Sequence, residues 1–587
     1  MKQGVEMERL DSLRNHMKEH NISAVVIPTA DMHLSEYISD YYKLREYLSG
    51  FTGSAGTLVV TEDDAGLWTD GRYYIQAEKE LYEGITLFRA SEKDCIKIYD
   101  YLNKKLAETD TVGFDGRLFS KKYLDEFIEK LGSIKVNTDY DASVIWKDRP
   151  AEPEGKTFVL NEEYCGESFE EKLIKVRELM KKGGFTHYLT ASPECIMWLL
   201  NIRGNDVKYT PVMLSYMIIT GKTVTLYADY AKIKGKSSAY LEAKGIQIAE
   251  YQSVYDDLKK LEEENYVVAD FSVTNYSLIN NISCAKKNVK DFIINLKCIK
   301  NTTETENIKK AYIKENIALT KSFYEIYHSD GITEYDVVNI IEKNREQQDG
   351  YISPSFDTIA AFGVNAAMMH YSPDKGKSAR IKNGKLLLID TGGQYYEGTT
   401  DTTRTLALGE VSYEEREALT LVLKGNISLA SAVFPDGTKC SEIDALARNV
   451  FWKRGLDYRC STGHGVGYLL GVHEGPQRLS ATCNEVLKVG MTVTDEPGIY
   501  VENAYGIRTE NHLAVKEAFR TEYGKFLCFE LLNYCPIGTK ALIPSLLSVE
   551  EKTYINEYNE KCRELILPHL SKEEKIWLIS YTAPILN

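Results

Sequence analysis

Residues 386–405 read LLLIDTGGQYYEGTTDTTRT. An apolar run with the composition of a buried strand, Leu386 to Ile389, ends on Asp390, and a second carboxylate, Asp401, follows eleven residues later in a nest of threonines and glycines. A carboxylate taken out of water without a partner is costly, so it shifts its pKa or finds a counter-charge. Two of them at this spacing call for a shared cation. The apolar run and the alternation Thr402, Arg404, Leu406 predict two strands joined by a turn around Tyr395–Gly398. A hairpin centred near Tyr395 would set Asp390 opposite Asp401.

A second stretch repeats the device. In MTVTDEPGIYVENAYGIRTENHLAV, residues 491–515, Glu496 and Glu510 are equidistant from Asn503, inside a predicted turn over 502–506. Arg508 falls on the same strand face as Glu510. A histidine completes the set. In STGHGVGYLLGVHEGP, residues 461–476, His464 sits between two glycines, where the backbone can approach a site closely. The chain has ten histidines, and three of them, His370, His464 and His473, fall in this region near glycine, proline or small residues rather than on an amphipathic face. Four carboxylates and one imidazole form a hard, oxygen-rich ligand set that favours Mn²⁺ and tolerates Co²⁺ or Zn²⁺. The set contains no thiolate, which argues against structural zinc. Five such side chains exceed what one ion takes. Two ions about 3.5–4 Å apart, bridged by carboxylates, use them all and lower the pKa of a bridging water to near neutrality. That chemistry predicts a hydrolase.

Composition supports a globular protein of several domains. The chain has 587 residues, 43% of them apolar, and a net charge of −15, which argues against nucleic acid or an anionic membrane as partner. The N-terminal stretch interleaves acids and bases with no apolar core, and no apolar run reaches the ~18 residues of a membrane span. Eleven cysteines without a CxxC pair suit reduced thiols. These features predict a cytoplasmic protein.

The first half echoes itself. MKEHNISAVV from Met17 and MKKGGFTHYL from Met180 both run a lysine-bearing helix end into an apolar strand, 163 residues apart; the strand ends LWTD at Leu67 and LYAD at Leu226 lie 159 apart. Near-constant offsets predict a duplicated α/β domain. A linker-like stretch at Asp148–Gly155 and the onset of a long helical pattern near Asn301 give expected domains over 1–150, 151–301 and 302–587. Thr303 and Glu306 have capping-box spacing and are expected to start that helix, whose apolar stripe Ile308, Ala311, Tyr312, Leu319, Phe323, Ile326 is interrupted at Glu315. GFTGSAG at Gly50–Gly56 lacks the endings of a phosphate loop and reads as a turn.

The ordered set Asp390, Asp401, His464, Glu496, Glu510, in the contexts IDTGGQYYEGTTDTTRT, TGHGVG, DEPGIY and GIRTEN, resembles the dinuclear pita-bread metallopeptidases. With YLSGFTGSAG, LWTDGRYYIQAEKEL, NIRGNDV and VHEGP, the chain from about residue 8 to about 585 is similar to the three-domain cytosolic form of aminopeptidase P. The resemblance implies an α/β (α+β) protein with two creatinase-type N-terminal domains and a catalytic pita-bread domain. It implies a homodimer that hydrolyses the bond between an N-terminal residue and a following proline in peptides, by attack of a hydroxide bridging two metals. By similarity Asp390 chelates one metal, Asp401 and Glu510 bridge both, and His464 and Glu496 hold the second. Glu496 also acts as general base, His370 and His473 bind the scissile carbonyl and its oxyanion, and Arg508 and Tyr500 orient ligands or substrate.

One position departs from the family pattern. Four residues before His464, where the family commonly has another histidine, this chain has Cys460, which puts the proton path in doubt and leaves the metal set intact. A prolidase acting on Xaa-Pro dipeptides and a catalytically inactive peptide-binding protein are the alternatives. Two N-terminal domains and VHEGP favour the aminopeptidase, and no ligand is missing. The tail IWLISYTAPIL, from Ile576, is expected to pack on the catalytic domain or a partner subunit.

Overall fold

Alternation builds the first sheet. In the strand Ala24–Pro28, Val25 and Ile27 enter one apolar cluster with Leu58, Val60 and Leu67, while Ala24 and Val26 enter the cluster on the other face with Val59 and Trp68. Both faces are covered, so the strands are apolar throughout. The computed structural model describes residues 2–586, with side chains from residue 8 onward; residues 1 and 587, the outer ends of the expected first and third domains, lie outside the described residues. Among the described residues no helix is long and apolar enough to cross a membrane.

The chain forms two compact units, one running up to Val159 with Glu167–Ile293, the other made of Leu160–Gly166 with the chain from Ile294 onward. The first unit holds two six-stranded sheets. One orders its strands Thr86–Arg89, Ala65–Thr69, Thr57–Thr61, Ala24–Pro28, Thr111–Gly113, Lys135–Asn137. The other orders Gln247–Ala249, Val224–Tyr227, Tyr216–Thr220, His187–Thr190, Tyr266–Ala269, Ala285–Asn288. Each sheet has antiparallel pairs at the same two positions and parallel pairs at the other three, so the echo read in the sequence is a repeat of topology. GFTGSAG is the connection between the helix Leu44–Ser49 and the strand Thr57–Thr61. A cavity of about 400 Å³ in this unit, lined by Trp68, Cys95, Tyr99 and Phe127 among others, holds none of the candidate site residues.

The second unit contains the expected helix, Thr302–Tyr327, capped two residues before the expected cap. Asn301, not Thr303, accepts from the Glu304 N–H, and the Glu304 carboxylate returns the bond to the Asn301 N–H. Asparagine is as good an N-cap as threonine, and the earlier box wins because it satisfies the first turn. The interruption of the apolar stripe has a physical cause. Glu315 is fully buried and bound by Arg345, at the end of the helix Glu334–Arg345, and by the Tyr395 hydroxyl at 2.8 Å. The tail packs on this same unit: Trp577 and Tyr581 lie against Leu319 and Phe323, and Leu578 is buried with Ile317, Cys562 and Ile566.

The strand Lys385–Thr391 lies antiparallel between Ile359–Phe362 and Thr402–Leu408. Its register corrects the expected hairpin: Asp390 is opposite Thr403, not Asp401. The turn is two residues long, Tyr396 and Glu397, between the paired Tyr395 and Gly398, so the centre lies between Tyr396 and Glu397 rather than at Tyr395. The second hairpin has the expected register, with Val501 paired to Tyr505 and Gly498 to Arg508, and the same symmetry carries on to the pair Asp495 and Asn511. Removing one partner of a buried ion pair strands the other charge, at a cost of about 3–5 kcal/mol. Arg345→Met is therefore expected to shift the urea unfolding transition of this unit by about that much, and a shift no larger than that of the exposed Lys343→Met would show that Glu315 does not depend on the pair.

Candidate metal centre

A main-chain bond and a bond from main chain to a threonine hydroxyl bring the hairpins together. The Glu510 N–H donates to Thr403 O at 3.1 Å, and the Arg508 N–H to Thr405 Oγ1 at 3.1 Å. Arg404, buried behind them, donates to Glu510 O, Asn511 Oδ1, Cys535 O, Pro536 O and the Tyr558 hydroxyl. A guanidinium with all its donors used in this way fixes three pieces of chain at once, 510–511, 535–536 and Tyr558. His464 enters on the short strand Gly463–Gly465. A Cβ on Gly463 would stand 1.9 Å from Thr494 O, and one on Gly465 2.4 Å from Glu474 O, so the close approach expected of the two glycines is real.

The donor atoms converge. One ligand atom each from Asp401, His464 and Glu510 lie within 4.8 Å of one another, all buried. His464 Nε2 is 3.5 Å from Asp401 Oδ2 and 3.4 Å from Glu496 Oε1. Arg508 donates to Asp390 Oδ2 and to the Tyr500 hydroxyl, and its Nε lies 4.0 Å from Glu496 Oε2. Thr403 Oγ1 donates to Glu510 Oε2 at 2.8 Å and accepts from Arg508 Nε at 3.1 Å. His473 sets its ring edge-on to His464, centroids 4.3 Å apart. The carboxylate next to it, Glu474, is buried between two buried lysines, with Lys297 donating to one oxygen and Lys300 to the other. His370 lies exposed on the turn after the short helix Gly363–Ala367. Cys460 is partly buried, and its carbonyl accepts from Arg448 at 2.7 Å.

Electrostatics define what the cluster lacks. Burial, then the charges of Glu510, Asp390 and Glu496, push the Asp401 carboxyl well above its ordinary range. Burial, then Glu496 and Asp390, do the same to Glu510. Burial, opposed by Arg508 and reinforced by Asp390, pushes Glu496 up to about 7. Burial and the neighbouring His473 hold His464 well below 6.5, in the neutral form that binds metals. Burial and then Glu496 push the Cys460 thiol up to about 12, so it is a neutral SH and no nucleophile. Asp390 Oδ1 is buried with no hydrogen-bond partner in the structure. Four carboxylates around one guanidinium and one neutral imidazole, with an orphaned oxygen among them, fit a divalent cation site with hard ligands.

Sequence reading missed Thr403, Arg404 and the helix tyrosine Tyr312. Thr403 carries a faint signal, since in a hairpin it alternates with Asp401 on one strand face. His512 also carried a signal, two residues beyond Glu510, as a fourth histidine in the region.

The fold and this site are those of a metallopeptidase. Residues 306–517 match the model of metallopeptidase family M24, residues 525–585 that of its C-terminal region, and residues 9–149 and 148–304 those of creatinase/prolidase N-terminal domains. The chain belongs to metallopeptidase family M24. It is 37% identical to a probable Xaa-Pro aminopeptidase P of Sordaria macrospora over 98% of this chain and 99% of that one. It is 37% identical to Xaa-Pro aminopeptidase 1 of Dictyostelium discoideum over 96% of this chain and 94% of that one. The crystal structure of X-prolyl aminopeptidase from Caenorhabditis elegans, described as a cytosolic enzyme with a di-nuclear active site, superposes with a TM-score of 0.93 at 31% identity over 99% of this chain and 100% of that one. The architecture is thus two creatinase-type α/β domains followed by a pita-bread domain.

The raised carboxyl pKa values make the metal-free protein pH-sensitive in a defined direction. A group such as Glu496, at 4.5 when unfolded and about 7 when folded, binds protons more tightly in the folded state, so its contribution is present below 4.5 and lost as pH rises through 7. Metal-stripped protein is expected to lose thermal stability between pH 5.5 and 8, and the Tm gain on adding Mn²⁺ to grow over the same interval, as read by thermal melts with and without metal. A metal-induced gain that shrinks with pH would contradict this account.

Proposed function

We propose that this chain is a dinuclear metallo-exopeptidase, an Xaa-Pro aminopeptidase that releases the N-terminal residue from peptides with proline second. The observation that carries the reading is the convergence of Asp401, His464 and Glu510 donor atoms within 4.8 Å, in a chain alike over nearly its whole length to proteins named for that activity. In this reading Asp390, Asp401, His464, Glu496 and Glu510 would hold two divalent ions, Mn²⁺ by preference. Two divalent charges offset four carboxylates, which supports the count. When bound, the ions supply Lewis acidity and make hydroxide available near neutral pH.

The protein's own groups do the rest. Glu496, whose carboxyl alone sits near 7 and drops when cations bind, takes the proton of the attacking water. It returns that proton to the proline nitrogen, which has no N–H of its own and leaves only when protonated. His370 and His473 donate to the scissile carbonyl as its oxygen gains charge, a role whose removal typically costs ~10²-fold or more in rate. The Lys297–Glu474–Lys300 cluster holds the segment that presents His473. Arg508 orients Asp390, and Tyr500 orients Arg508. Cys460, neutral and beside Glu496, fills space without competing for the proton.

We read the domains as 1–150, 151–301 and 302–587; the two repeated sheets and the ranges of the three family models support that division. A cytoplasmic location is supported by likeness to the cytosolic nematode enzyme. A homodimer is inferred from the family resemblance, and light scattering on a sizing column checks it. The decisive experiment compares an Xaa-Pro-Pro tripeptide, the matching Xaa-Pro dipeptide and an Xaa-Ala-Ala control on metal-stripped enzyme with and without Mn²⁺, with Asp401→Asn as blank. Mn²⁺-dependent release of the first residue from the tripeptide is expected. Preference for the dipeptide would make the protein a prolidase, and no turnover from folded, metal-loaded protein would make it a peptide-binding protein.

A further inference from the structure

We propose that Tyr312 and His512 are positioning residues that fix the main chain of Asp401 and tie it to the Glu510 strand, and so set the geometry of the metal centre; the inference rests on the metal reading above. Asp401 needs such a device. It lies between the strands Gly398–Thr399 and Thr402–Leu408, where the hairpin passes from one sheet to another. Its main chain is taken up by a side chain instead. The Asp401 N–H donates to the Tyr312 hydroxyl at 3.0 Å, and that hydroxyl lies 3.1 Å from Asp401 O.

Proton counting assigns the third contact. A phenol has one proton and can accept at its lone pairs. It accepts from the Asp401 N–H and gives its proton to Asp401 O, so His512 Nδ1, 3.0 Å away, is the donor to it. Nδ1 then carries the hydrogen and Nε2 presents a bare lone pair. That fits the surroundings: the His512 ring is fully buried and its Nε2 has no partner in the structure, and a buried lone pair without a donor is tolerated better than a buried N–H without an acceptor. Tyr312 is also buried, so no solvent can substitute for either partner.

The two residues come from elements already fixed. Tyr312 projects from the helix capped at Asn301, and His512 stands two residues beyond Glu510, on the strand Asn511–Thr521. The clamp therefore couples the main chains of Asp401 and Glu510, two of the three residues whose donor atoms converge. Groups that orient metal ligands typically contribute 10–100-fold to metal affinity or activity, and a bridging ligand tolerates only about 0.5 Å of misplacement.

The test is calorimetric titration of Mn²⁺ into the metal-stripped full chain, alongside kcat and KM at saturating Mn²⁺. Tyr312→Phe and His512→Leu are expected to weaken Mn²⁺ binding about 10–100-fold and to lower kcat with KM nearly unchanged. His512→Asn keeps an N–H near the Nδ1 place and is expected to bind Mn²⁺ as the wild type does. Tyr327→Phe removes one hydrogen bond, to Ala407 O at 2.9 Å, from the same helix. It is expected to lower the melting temperature while leaving Mn²⁺ affinity unchanged. Folded Tyr312→Phe and His512→Leu proteins with wild-type affinity would overturn the positioning role alone. A wild-type chain that binds no Mn²⁺ would overturn the metal reading and this role with it.

Discussion

Four carboxylates and an imidazole are crowded into one largely buried site with the Arg508 guanidinium against them, and the surroundings of the site answer to their mutual repulsion. Like charges at this distance separate if the chain lets them. The chain does not, because each ligand sits on backbone pinned by bonds that do not involve the carboxylates. Glu510 is held through its N–H by Thr403 and through its carbonyl by Arg404, and Asp390 lies within a three-stranded ladder. Repulsion is thus stored rather than relaxed, and it becomes affinity for cations.

The same logic explains the buried charges farther out. Glu315 with Arg345, and Glu474 with Lys297 and Lys300, are poor choices for stability alone, since apolar side chains of similar volume would serve as well. Both sit where direction matters. Glu315 is also bound by Tyr395, at the turn of the hairpin that carries Asp390 and Asp401; Glu474 follows His473 directly. A charged hydrogen bond fixes a direction that an apolar contact leaves free.

Which parts of this were legible in the sequence follows from range. The duplication of the first two domains was, because a repeat leaves constant offsets, and so was the second hairpin, whose long turn places its symmetry axis on Asn503, a residue at positive φ. The first hairpin was misplaced because its two-residue turn is Tyr396–Glu397, without the Asn-Gly signal of such turns. The slip moves the partner of Asp390 by two residues, and two residues preserve the face of a strand. The convergence of Asp401, His464 and Glu510 is therefore compatible with a wrong register in the sequence reading. The helix cap was displaced by two residues for a similar reason, since Asn301 with Glu304 and Thr303 with Glu306 offered overlapping boxes. Arg404 and Tyr312 were out of reach, and so was the pairing of Tyr312 with His512: their partners lie from about 90 to 200 residues away in the chain, and no spacing rule connects them.

Cys460 shows how a departure from a family pattern is absorbed by its surroundings. An imidazole there would add a second base beside Glu496. The thiol is held protonated by burial and by the Glu496 charge, so it neither takes the proton nor ligates a hard cation. In the proposed reaction, basicity near the attacking water would then be concentrated on Glu496. In that reaction proton transfer would run through fewer groups, while Asp390, Asp401, His464, Glu496 and Glu510 are all present in this chain.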